Sequence, residues 1–120
     1  RCGRCGMSGV LEAITAHGNR DADYRSTRPN SITCKDGFRL SVIAGNGTYC
    51  DPRPDWFNGV PADYPGPYTH VEVGFPSERP EPWADWVEWC ASPDNPTGTV
   101  YGQVPVDAVR ALIDSHGGES

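Results

Sequence analysis

The stretch from Ser31 to Gly45, SITCKDGFRLSVIAG, decides how the chain folds. Asp36-Gly37 marks a tight turn between two apolar runs. The faces set the length of the turn. A two-residue loop would put Lys35 opposite Phe38, and the apolar faces would disagree. A three-residue loop, Lys35-Asp36-Gly37, puts Cys34 opposite Phe38 and Ile32 opposite Leu40. This is a type I turn with glycine in the left-handed position. Phe38, Leu40 and Val42 then point into a core, while Arg39 and Ser41 point out. A sheet with one apolar face needs a layer to cover it.

The covering layer is legible on both sides of the hairpin. Before it, Val10, Leu11 and Ile14 make the apolar stripe of a helix that runs from a Ser8 N-cap through His17, with Gly18 as its stop. After it, Pro105 starts a helix with Val106, Val109, Leu112 and Ile113 inward, ending at His116-Gly117. Between them HVEVGF (70–75) alternates, with Val71, Val73 and Phe75 on one face and His70, Glu72 and Gly74 on the other. TVYGQV (99–104) is a further short strand, and SPDNPTG (92–98) is a turn-rich break before it. The fold class is α+β: a single domain, with a small, mainly antiparallel sheet of three or four strands packed against two or three helices.

The tryptophan-rich stretch PEPWADWVEWC (80–90) is read as a helix from Pro82. At 100° per residue Trp83, Trp86, Val87 and Cys90 fall within about 100° of arc. Trp83 and Trp86 are therefore core residues. Asp85 and Glu88 fall on the other side, and Trp89 stands at the edge of the stripe. Asp85, Glu88 and Trp89 make one candidate contact surface.

Two connections are expected at the surface. Residues 18–30 are polar and charged, with one aromatic. Residues 45–69 form a long proline- and glycine-rich connection, functional or draped over the fold. Its segment CDPRPDW sets Asp51, Arg53 and Asp55 in alternation between prolines, with Trp56 next. Stiff backbone loses less entropy on binding, so Asp51, Arg53, Asp55 and Trp56 form a second candidate recognition edge. The plainer reading is a rigid loop with a local salt bridge.

The chain has 120 residues, one ordinary domain. Residues 1–6, RCGRCG, precede the only methionine, Met7. They read as a non-native or flexible leader, or as a turn, with the domain spanning 7–120. No run is long and apolar enough to cross a membrane. The net charge is −6, unevenly spread: residues 1–40 carry seven Arg/Lys against four Asp/Glu, and residues 41–120 carry three against twelve. Such an acidic body repels nucleic acid, so no direct nucleic-acid binding is expected. It suits a basic protein surface, including one that normally holds DNA.

Few residues carry the pattern of a reaction centre. Cys50, His70 and Glu72 are the weak catalytic candidates: His70 and Glu72 share a sheet face, as a base and its carboxylate do, and Cys50 opens the long loop as a possible nucleophile. The plainer reading of His70 is a solvent-facing strand residue. His17 and His116 close helices, where an imidazolium meets the negative end of the helix dipole. Cys2 and Cys5 have the spacing of half a zinc site, with Cys34 and Cys50 as the other half. Fifteen residues separate that second pair, so no metal and no cofactor is expected. No glycine-rich loop carries the lysine and hydroxyl of a phosphate cradle. Five cysteines cannot complete a disulfide framework, which favours a reducing compartment.

Three strings, DGFRLSVIAGNGTYCDPR (36–53), GPYTHVEVGFPSERPEPW (66–83) and TVYGQVPVDAVRALIDSHGG (99–118), give the chain a resemblance to small uncharacterised proteins of bacteriophages and prophages, mainly of actinobacteria. The resemblance spans roughly residues 8–118 and carries over no functional residue. It implies an accessory product in the cytoplasm of an infected host cell, with a host or phage protein as partner. With the acidic body, it leads to the expectation of a non-enzymatic binding protein, with inhibition of a host defence or nucleic-acid enzyme as one such role. A minor virion component or homo-oligomer, and a small Cys/His hydrolase-type enzyme, are the alternatives.

Overall fold

A computed structural model describes residues 9–54 and 59–120. The elements run α1 (Val10–His17), β1 (Ser31–Thr33), β2 (Arg39–Ile43), β3 (His70–Gly74), α2 (Trp83–Trp86), β4 (Val100–Pro105) and α3 (Val106–Ser115). The sheet order is β1-β2-β3-β4, and each neighbouring pair is antiparallel. The domain is α+β, as its periodicities predict.

The hairpin forms as its faces require. Ile32 lies opposite Leu40. Cys34 donates to the Phe38 carbonyl at 2.7 Å, and the Gly37 amide returns to the Cys34 carbonyl at 2.9 Å. Gly37 has φ +95°, a conformation that costs glycine little and other residues more. The Asp36 carboxylate accepts the Phe38 amide at 2.9 Å and closes the turn.

One face of the sheet holds the core. Val42 pairs with Val73 and Val71 with Val104, so these side chains share a face with Ile32 and Leu40. Leu11 and Ile14 of α1 and Val106, Val109, Leu112 and Ile113 of α3 pack into the same buried cluster. Each such side chain stabilises the fold by about 1.5–3 kcal/mol. Arg110 ties the helices together with a two-pronged contact to Glu12, at 2.9 and 3.0 Å. The Cα trace measures 40 × 39 × 20 Å, the thickness of one sheet layer and one helix layer.

A bulge in β4 adjusts the pattern. Val71 faces Val104 and Val73 faces Tyr101, so Gly102 and Gln103 share the place opposite Glu72. Tyr101 and Val104 are therefore both buried although they lie three residues apart. Gln103 takes up the extra residue at φ +49°.

Three sequence readings change, and a fourth falls outside the described residues. Phe75 is not inward: β3 ends at Gly74, and Phe75 turns to φ +49° and is 60% exposed. The tryptophan helix is a single turn, Trp83–Trp86, with Pro82 as its N-cap. Beyond it, Cys90 joins Tyr101 in a β-bridge, because the Trp89 carbonyl and the Ala91 amide bond to the outer edge of β4. Residues 18–30 are not all surface: Asn19 is buried, accepting the Ala44 amide at 3.0 Å and donating to the Val42 carbonyl at 2.9 Å. Finally, Ser8 lies outside the described residues, and α1 is capped from elsewhere. The Glu119 carboxylate accepts the amides of Val10 at 2.8 Å and Leu11 at 3.2 Å.

Each sheet edge is covered in part, which shortens the run of unpaired backbone that invites edge-to-edge association. Residues 89–91 lie along β4. Glu119 bridges Cys34, and the Ser120 amide reaches the Thr33 carbonyl at 2.9 Å, covering β1.

Candidate functional site

The His70 neighbourhood is built where the long connection meets β3. Asp51 and His70 form an antiparallel bridge, with the Asp51 amide 3.1 Å from the His70 carbonyl. Alternation then turns successive side chains to opposite sides. Asp51 lies out beside His70, and Cys50 turns inward and is fully buried. The Cys50 thiol hydrogen-bonds the carbonyls of Pro52 at 3.4 Å and Gly45 at 3.6 Å. So Cys50 and His70 are not a nucleophile and its base. Glu72 does not orient His70 either; it accepts the Tyr49 amide at 2.9 Å. The predicted Cys50–His70–Glu72 constellation is thereby taken apart by one residue of strand parity.

The carboxylate that does meet His70 is Asp51. Its Oδ2 lies 3.7 Å from His70 Nδ1, and the Thr69 hydroxyl sits 2.9 Å from Nδ1 and 3.2 Å from Oδ2. The hydroxyl has one hydrogen to give. It can be given to the carboxylate or to the ring nitrogen, but not to both. The His70 ring stands at the lip of a groove of about 270 Å³ lined by Asp51, His70 and Gln103. Arg53 leans the other way, its guanidinium 4.6 Å from the Tyr49 ring centroid. Asp55 and Trp56, the rest of that recognition edge, lie outside the described residues.

The segment between β3 and β4 carries the second set of candidates. Trp86 is buried, in edge contact with Tyr101 at 5.6 Å between ring centroids. The Tyr101 hydroxyl donates to the Pro96 carbonyl, and burial pushes its ionisation well above the usual phenol range. Trp83 is half-buried rather than core, with the Arg79 guanidinium 5.3 Å from its ring. Trp89 is half-buried too, its ring edge-on to Trp86 at 5.2 Å. Arg79 pairs with Glu81 at 2.9 Å, which holds the Glu81 carboxyl below the usual carboxylate range. Asp85 and Glu88 are exposed, as are Glu78 and Asp94, and none of the four has an ion pair among the described residues.

His116 does more than close α3. Its ring stacks on Phe38, with 4.0 Å between centroids and 7° between planes, and Nδ1 lies 2.6 Å from Asp36 Oδ2. The Phe38 amide, and after it His116, hold the Asp36 carboxyl below its ordinary value. Nothing in the spacing of Asp36 and His116 announced this pair; only the return of α3 beside the hairpin makes it.

Cys2 and Cys5 lie outside the described residues. Cys34 is buried in the hairpin, and among the described residues no three His, Cys, Asp or Glu side chains gather as metal ligands. No helix among them is long and apolar enough to cross a membrane. The chain matches no protein-family model, no curated protein and no solved structure.

Proposed function

We propose that this chain is a phage-encoded accessory protein that works by binding, and that its contact surface is the acidic excursion between β3 and β4. The observation that carries this reading is the set of four exposed carboxylates, Glu78, Asp85, Glu88 and Asp94, without ion pairs among the described residues. The only arginine of that excursion is spent on Glu81. A partner with a basic surface would supply the missing cations and would be steered to it by charge. The half-buried Trp89, anchored on Trp86, offers a rigid aromatic contact beside them. The partner is a host or phage protein, and an enzyme that normally holds nucleic acid has the right charge. The resemblance of the sequence to phage proteins is what supports an encounter in the cytoplasm of an infected cell.

The test is affinity capture during infection, followed by reconstitution with the purified partner. The wild type should capture one partner, with binding that weakens as salt rises. Asp85→Lys with Glu88→Lys should lose it while keeping the wild-type thermal midpoint. Equal capture by wild type and double variant, or no partner at any salt concentration, would overturn the reading.

A further inference from the structure

On the sheet face opposite the helices, a trough of about 320 Å³ lies across the ends of β1, β2 and β3. Its chemistry runs against the rest of the molecule. In a chain of net charge −6, its lining holds one cation, Arg39, and no carboxylate. The Arg39 side chain makes no hydrogen bond or ion pair among the described residues. Four residues with hydroxyls line the same trough, Ser31, Ser41, Ser77 and Thr97. The Ser41 oxygen accepts from Asn30 at 3.0 Å, and the Ser77 oxygen accepts the Arg39 amide at 2.9 Å. Each oxygen therefore keeps its own hydrogen to donate. The floor is Gly74, where an added Cβ would meet the Ser41 Cβ and a Val100 methyl at 3.7 Å, ordinary packing distance.

The wall is Phe75. It is 60% exposed and sits at φ +49°, where a bulky side chain is rarely found. Burial does not explain that ring, and its backbone is disfavoured. Strained, exposed residues of this kind gather at ligand sites.

We infer that this trough is a binding site for a nucleoside monophosphate, with the base stacked on Phe75, the phosphate on Arg39, and the hydroxyls hydrogen-bonded to phosphate and sugar. Guanidinium and hydroxyl donors with no competing carboxylate suit an anion. An exposed aromatic face suits a flat ring. The volume stands at the lower end of small-ligand sites, which fits one nucleotide. The acidic surroundings repel a chain of phosphates, so the ligand is a free mononucleotide rather than a nucleic acid.

The experiment is an amide chemical-shift titration of the full chain with adenosine 5′-monophosphate, and in parallel with adenosine and with inorganic phosphate. The expected result is saturable shifts at Arg39, Ser41, Gly74 and Ser77 with the nucleotide, and binding about tenfold weaker for either fragment. Arg39→Gln should weaken the nucleotide without touching the fold. Phe75→Gly should weaken it too, in a protein relieved of its backbone strain, so that the loss is not one of folding. Phosphate alone binding as well as the nucleotide, unchanged binding in either variant, or no saturable shift at millimolar nucleotide would each overturn the assignment.

Discussion

Replacing Glu119 with alanine tests whether the end of α1 is held from the far side of the sequence. The carboxylate accepts two amides of the first helical turn, Val10 at 2.8 Å and Leu11 at 3.2 Å. Among the described residues, no side chain of α1 does that work, and Gly9, its N-cap, makes no side-chain cap hydrogen bond. Losing an N-cap acceptor costs about 0.5–2 kcal/mol. Losing a negative charge from a helix N-terminus costs a further 0.3–1 kcal/mol or so. Together they predict a loss of about 2 kcal/mol for Glu119→Ala. For a domain of this size that is a fall in thermal midpoint of roughly 6–10 °C. Glu119→Gln keeps an acceptor and drops the charge, so its fall should be less than half as large. Gly9→Ala attacks the same contact from the other side, because its Cβ would stand 2.6 Å from a Glu119 carboxylate oxygen. The assay is calorimetric melting of all three variants, with hydrogen exchange read at Val10 and Leu11. A Glu119→Ala midpoint within about 1 °C of wild type, with those amides still protected, would refute the reasoning.

Three further outcomes are expected. Trp86→Ala should destabilise the domain by about 3–5 kcal/mol and Trp89→Ala by about 1–2, read by chemical denaturation; equal losses would show that the two rings do not divide as core and edge. Asp36→Asn should lower the melting midpoint near neutral pH. The Asp36 pKa is depressed on folding, so its contribution is present above the ordinary carboxylate value near 3.8 and fades as pH falls through the lower folded value. The gap between variant and wild type should therefore close in acid, and a gap that holds constant would contradict the Asp36–His116 contact. Phe75→Gly should leave the midpoint within the equivalent of about 1 kcal/mol of wild type, since relief of the backbone at φ +49° offsets the loss of a mostly exposed ring and the greater freedom of glycine in the unfolded chain; a larger fall would mean the ring packs.

Much of the scaffold could be read directly. The turn at Lys35-Asp36-Gly37, the register of Ile32 on Leu40, the inward set of α3 and the burial of Trp86 all follow from local periodicity and parity. The site was less legible. Cys50 and His70 are twenty residues apart, and only the Asp51–His70 bridge settles which side of the strand each faces. By its spacing Asp51 belongs to a stiff recognition edge, yet its partners are Thr69 and His70. Phe75 continued an alternation that the backbone breaks one residue earlier. The helical arc drawn through Trp83, Trp86 and Cys90 failed beyond one turn because β4 offered residues 89–91 hydrogen bonds that a longer helix would forgo.

What the sequence determined by itself is therefore what short-range physics can enforce. A glycine needed at positive φ, a face repeating every two residues and a stripe repeating every 3.6 each fix an element without knowledge of its neighbours. What only the tertiary structure decided are the meetings between distant residues: Glu119 with α1, His116 with Asp36, Asn19 with β2, Arg39 and Phe75 on one trough. Hydrogen bonds and charges act over a few ångströms, and the chain brings those groups within reach only once the sheet has closed its register.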